Sequence, residues 1–146
     1  MSPVTPTQTL HCACLFDGER MLHDVRLQWA DGRITQLQPD APRPGPGVAS
    51  IGPQWLASPG LVDLQVNGGG GLMFNDEPSL AGARRITQAH ARAGTTSLLL
   101  TLITDSREQI VAAQQAVREA MALAPPGAAG LHLEGTYLHA ASKAIH

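Results

Sequence analysis

Aromatic residues make up only 3% of this sequence, and that scarcity argues against a stacking platform for nucleobases. Charge is scarce as well. Charged residues are 15% of the chain, against about a quarter in ordinary domains. Ten Lys+Arg stand against twelve Asp+Glu, a formal net charge of −2. That balance excludes the usual electrostatic case for nucleic acid or an anionic membrane surface as partner. No apolar run approaches the roughly 18 residues of a membrane span. The N-terminal Met-Ser-Pro-Val-Thr-Pro-Thr-Gln lacks a basic region followed by an apolar stretch, so no signal peptide is read and a soluble, cytoplasmic protein is expected. Cysteine is nearly absent. Cys12 and Cys14 sit too close in sequence for a good structural disulfide. A C-x-C pair alone also falls short of a zinc ligand set, so two reduced thiols are expected. Length is the last shortage. The chain has 146 residues, one ordinary domain's worth, whereas a closed (β/α)₈ barrel needs about 250.

What the chain has in quantity is turn formers, with Gly 15 and Pro 11. Residues 1–57 read as a small antiparallel β unit of sandwich type. Residues 9–16 are a β-leaning run, and Asp17-Gly18 after them is a hairpin signal. Residues 21–29 alternate, with Met21, His23, Val25, Leu27 and Trp29 on the more apolar parity, so that face is expected to be buried. Asp31-Gly32 marks a second turn, and residues 34–37 a third strand. Residues 39–47 hold four prolines and two glycines and read as a surface loop.

At Ser58-Pro59-Gly60 the pattern changes, and residues 58–146 read as βα units. Residues 61–67 form a β run that ends in four glycines, Gly68 to Gly71. Residues 78–93 follow a helical pattern, with Pro78 near the first turn and Gly94 just after the end. Residues 95–103 suit a buried strand. Ser106-Arg107-Glu108-Gln109 fits a capping box, with Gln109 able to reach back to the Ser106 amide. The helix it opens is expected to run to about Leu123, with Ile110, Ala113, Val117 and Met121 on one face. Pro125-Pro126-Gly127 stops it, and residues 130–135 make another strand. Strand, helix, strand, helix, strand is the order of a parallel α/β sheet.

Two of these strands end in polar residues. Period two puts Gln65 and Asn67 on one face, and His132 and Glu134 likewise. In parallel α/β folds ligands bind at the carboxyl ends of strands. Two amides, an imidazole and a carboxylate would then meet at one mouth, although ordinary rim residues would show the same spacing. Glu134 is the sharpest candidate, because a carboxylate straight after an apolar strand is costly without a partner or a metal. The four glycines lack both the G-x-G-x-x-G spacing and a P-loop lysine, so a tight connection is expected there. His90 is expected at the surface. His11 and His23 receive no role, and His139 and His146 follow Glu134 in a loop.

The run Ser58-Pro59-Gly60-Leu61-Val62-Asp63 resembles the entry into the first barrel strand of the amidohydrolase superfamily. Gln65-x-Asn67 stands where that superfamily usually has a His-x-His metal pair, and Gly68, Gly69, Gly71 and Phe74-Asn75-Asp76 follow. This variant is similar to the N-acetylglucosamine-6-phosphate deacetylase family. Thr101-Leu102-Ile103-Thr104 and Gly130-Leu131-His132-Leu133-Glu134-Gly135 resemble two further motifs of that family. The likeness runs from about residue 10 to residue 146.

The resemblance implies the start of a metal-dependent hydrolase (β/α)₈ barrel, about three strands, after the small β unit. It implies hydrolysis of N-acetylglucosamine 6-phosphate to glucosamine 6-phosphate and acetate, in amino-sugar catabolism, by metal-activated water. Glu134 would be a ligand of one divalent metal, with zinc expected. Gln65, Asn67 and His132 would neighbour it, and Ile145 and His146 would contact the sugar. The family's catalytic aspartate, its two other histidine ligands and its phosphate-holding groups have no counterpart in this sequence. Thr136 stands where the family has proline, and Ser142-Lys143-Ala144 where it has Lys-Lys-Gly. Ala144 would be strained at a left-handed position. Homodimers are usual in the family. The competing expectation is a catalytically inactive truncated remnant or an interaction module; a cyclic-amide hydrolase is the weaker third. Three parallel strands with open edges also lead us to expect marginal stability, aggregation or completion by another chain.

Overall fold

The computed structural model of the protein describes residues 6–123, 127–135 and 138. The chain divides into two compact units, Met1–Pro59 and Gly60–His146.

The first unit contains one four-stranded sheet built from β1 (Gln8–Phe16), β2 (Met21–Ala30), β3 (Arg33–Gln38) and β4 (Ala49–Ile51), in the order β3-β2-β1-β4. Asp17 closes the first hairpin by accepting from the amides of Glu19 and Arg20 through Oδ1, both at 2.9 Å. These bonds favour the charged carboxylate and hold its pKa below the ordinary value. Asp31 and Gly32, with φ of 52° and 70°, make the second turn. Positive φ at both central residues suits the twist of a two-residue hairpin. The sheet is mixed, which corrects the purely antiparallel expectation: β4 pairs with β1 in parallel. A strand arriving after the long proline loop is not bound to hairpin geometry. The second layer of a sandwich is not among the described residues.

The expected alternation along β2 also fails. Leu22 and Val25, three apart, are both buried, while Met21 and His23 are exposed. Asp24 lies between them at φ 45° and rotates the strand by one side-chain position. The carbonyls of His23 and Asp24 accept from the amides of Asp40 and Ala41 at 3.1 and 2.8 Å, which ties the proline loop down at the irregularity. Leu22 and Val25 then face their partners Leu15 and Cys12, and these four form the small core. Both cysteines are free. Cys12 is buried and Cys14 half-buried.

The second unit comprises β5 (Leu61–Val66), β6 (Gly68–Gly69), β7 (Leu72–Met73), α1 (Leu80–Ala91), β8 (Thr95–Ile103), α2 (Arg107–Met121) and β9 (Gly127–Glu134). Three of the strands form a parallel sheet in the order β5-β8-β9, beside the two helices and a small β6-β7 hairpin. The central strand β8 sends Leu98, Leu100 and Leu102 into a core with Phe74, Ile86, Ala113 and Val117. Alternate residues therefore face away from the helices. The edge strand β5 exposes Leu61, Val62 and Leu64.

Both helices are capped by serine. Ser79 caps α1, its Oγ accepting from the Gly82 amide at 3.1 Å. Pro78 directly precedes this cap, near the first turn. Ser106 caps α2 by accepting from the Gln109 amide at 3.2 Å. The return half of the box is replaced, because the Ser106 amide donates to Asp105 Oδ1 at 2.7 Å. On α2 Ala120 is buried and Met121 exposed, since the inward stripe drifts by one residue over four turns. No helix among the described residues is long and apolar enough to cross a membrane.

Candidate functional site at the strand ends

The carboxyl ends of β5 and β9 bring three of the candidate side chains together. Gln65 Nε2 donates to Glu134 Oε2 at 3.0 Å, and Asn67 Nδ2 donates to the same oxygen at 3.3 Å. The carboxylate lies at the end of an apolar strand with its charge met by two neutral donors, which offsets the cost of partial burial. His132 sits one row back on the same strand. Its Nδ1 shares a hydrogen bond with the Oγ1 of Thr101, which is fully buried, at 3.3 Å. The described structure thus groups Gln65, Asn67 and Glu134 and leaves His132 engaged elsewhere. Ile145 and His146, like His139, lie outside the described residues.

Two residues given no individual role above hold this arrangement. Asn75 acts as a side-chain substitute for a backbone partner at the end of β8. Its Oδ1 accepts from the Ile103 amide, and its Nδ2 donates to the Ile103 carbonyl, both at 3.0 Å; Nδ2 also donates to Asp105 Oδ2 at 2.9 Å. The preceding Phe74 is fully buried, and its amide donates to the Asn67 carbonyl at 2.8 Å. The loop that leaves Asn67 is therefore anchored to the next strand. Thr104 secures the other side, its Oγ1 contacting the carbonyl oxygens of Glu134 at 3.2 Å and Gly135 at 2.8 Å. Thr104 directly follows β8, a position where orphaned strand-end groups need partners, whereas Asn75, two residues beyond β7, carries no such mark.

The tight connection expected at the four glycines is part of a hairpin. β6 and β7 pair around Gly70 and Gly71, whose φ angles are 62° and 79°. Consecutive left-handed residues define the tight primed turn that glycine permits. Helix α1 holds this hairpin. Arg85 Nε donates to the Gly70 carbonyl and His90 Nε2 to the Gly68 carbonyl, each at 2.9 Å. His90 is half-buried, which corrects its expected surface position.

The donor set matches a metal only in part. Among the described residues, no three His, Cys, Asp or Glu side chains come close enough together to hold an ion. A catalytic zinc usually has three protein ligands. The two amides also present N–H groups to Glu134, an arrangement for hydrogen bonding the carboxylate and not for donating lone pairs to a cation. The described residues do not by themselves make a metal centre.

A carboxylate gripped at the carboxyl ends of parallel strands is a site of the kind that α/β proteins build for ligands. No family model matches the chain. Over 87 residues, 60% of this chain, it is 49% identical to N-acetylgalactosamine-6-phosphate deacetylase of Shewanella sp. (strain ANA-3), covering 22% of that protein. Over 87 residues it is 40% identical to N-acetylglucosamine-6-phosphate deacetylase of Haemophilus influenzae, covering 23% of it. The structure of N-acetylglucosamine-6-phosphate deacetylase from Pasteurella multocida matches 97% of this chain and 37% of its own, with a TM-score of 0.78 at 28% identity. The chain is similar to amino-sugar-phosphate deacetylases, which are hydrolases, and spans under a quarter of the length of the curated relatives it matches.

Proposed function

We propose that this chain carries strands of an N-acetylhexosamine-6-phosphate deacetylase, an enzyme that hydrolyses the acetamide to acetate and the free amine. The convergence of Gln65 and Asn67 on Glu134 Oε2 is the observation that carries the reading. The parallel strands β5, β8 and β9 are the start of the barrel. The substrate is N-acetylglucosamine 6-phosphate or its galactose-configured epimer, since the two curated relatives are named for one each. In this reading Glu134 is one ligand of a divalent metal, zinc being the ion that the family's imidazole and carboxylate ligands suit. The described residues hold too few donors for a step to run through that ion. What they do is hold the carboxylate. Two amides fix its rotamer and share its charge, and Thr104 and Asn75 fix the backbone on both sides. Ile145 and His146 are sugar contacts in this reading. A cytoplasmic homodimer acting in amino-sugar catabolism belongs to the same proposal.

The alternative is a catalytically inactive remnant or an interaction module of the same family. Acetate release decides between them, measured on the whole chain with zinc supplied and with each epimer in turn. Release from either substrate, abolished by Glu134→Gln and cut about 10- to 100-fold by Gln65→Leu, supports the enzyme. A folded chain that releases no acetate from either epimer overturns it in favour of the alternative.

A further inference from the structure

The four-stranded sheet of the first unit has two unlike faces. One carries the rows Leu37–Leu27–Leu10 and Val25–Cys12–Ile51, read across paired strands. The other carries Gln38–Arg26–His11–Ser50 and Gln36–Gln28–Thr9. The polar face is roofed by the proline loop. A hollow of about 310 Å³ lies between them, with Thr9, His11, Arg26, Gln28 and Arg43 among the residues that line it.

The chemistry of this hollow has one sign. No Asp or Glu lines it. Among the described residues the one ion pair within 4 Å joins Arg20 to Asp17, so neither Arg26 nor Arg43 is neutralised by a carboxylate. Thr9 Oγ1 already accepts from Gln28 Nε2 at 3.2 Å, which leaves its O–H to donate. His11 is 6% exposed, and its Nε2 is buried with no hydrogen-bond partner among the described residues. An unpartnered buried ring nitrogen costs free energy that a ligand oxygen or proton donor would offset. A neighbouring hollow of about 550 Å³ shares His11 and Arg43 but is also lined by Asp24, whose charge opposes an anion. The smaller hollow is the one suited to negative charge.

We propose that this hollow is a binding site for a small phosphorylated molecule. Two guanidinium groups from separate elements, a hydroxyl and an imidazole can approach a tetrahedral dianion from different sides. Arginine is the side chain best shaped for such oxyanions. The volume is at the low end for small-molecule pockets, so the ligand is one phosphate group on a small body. This site is independent of the Glu134 reading and uses none of its residues.

The test is calorimetric titration of the whole chain with inorganic phosphate at low salt. Saturable binding is expected, weakened about ten-fold or more by Arg26→Gln and by Arg43→Gln, and unchanged by Arg33→Gln, which lies on β3 outside the hollow. Arg43 is exposed, so its variant should keep the fold even if Arg26→Gln does not; far-ultraviolet circular dichroism checks both. Absence of saturable binding overturns the proposal. So does an equal loss in Arg33→Gln, which would mark a diffuse charge effect. Acetate binding as tightly as phosphate would overturn the preference for phosphate.

Discussion

The two units of this chain solve the same problem with different material. The first makes its core from four buried residues, Cys12, Leu15, Leu22 and Val25, on one side of a sheet. The second gathers eleven, with Phe74, Ile86, Leu98, Leu100 and Leu102 the bulkiest. Hairpins fix register locally, so the first sheet can form on a small apolar face and leave its other face polar. Parallel strands have no hairpin to join them and rely on packed crossover helices. The chemistry follows the same division. In the second unit a carboxylate is held at the strand ends by side chains up to 69 residues apart in sequence. In the first, polar groups collect on the sheet face that the proline loop covers.

The sharpest way to break this comparison is to empty each core. Phe74→Ala should cost about 3–5 kcal/mol, because an aromatic ring is lost from a closed site. Val25→Ala should cost only about 2 kcal/mol, through fewer lost atoms. Hydrogen exchange at the amides of β8 and of β1 reads the two effects separately. Equal losses would mean that the small core is as tightly packed as the large one.

A smaller effect should follow loss of the loop anchor. Asn75→Ala leaves both the amide and the carbonyl of Ile103 without their side-chain partner, and should cost about 1–3 kcal/mol. Exchange should quicken at Ile103 before the rest of β8. If Ile103 stays protected, the clip contributes little.

The smallest effect is a pH dependence of the first unit. Burial pushes the Cys12 thiol above its ordinary pKa of 9.0. The folded state therefore keeps its proton where the unfolded chain would lose it. That contribution is fully present below pH 9 and is lost as pH rises from there through the folded pKa. Exchange protection of β1 should fall above pH 9 in the native chain and fall less in Cys12→Ala. An identical alkaline slope in both would assign the effect to other groups.

The order of elements was legible in the sequence because turn chemistry and apolar period are local. Asp17-Gly18, Asp31-Gly32 and the two helical stripes each declare themselves within a few residues. Gln65, Asn67 and Glu134 were legible as strand-end polar residues, since period two fixes the face a side chain takes. The sequence by itself therefore determined the strands and helices and which residues could reach a common rim. Only the tertiary structure decided that Asp24 would turn over the parity of β2, because a single left-handed residue changes face at no cost to the apolar pattern. It also decided that β4 would pair in parallel, that two amides would meet on one oxygen, and that His132 would turn to Thr101. Those outcomes depend on which strands become neighbours, and a hydrogen bond between distant residues leaves no periodic trace in the chain.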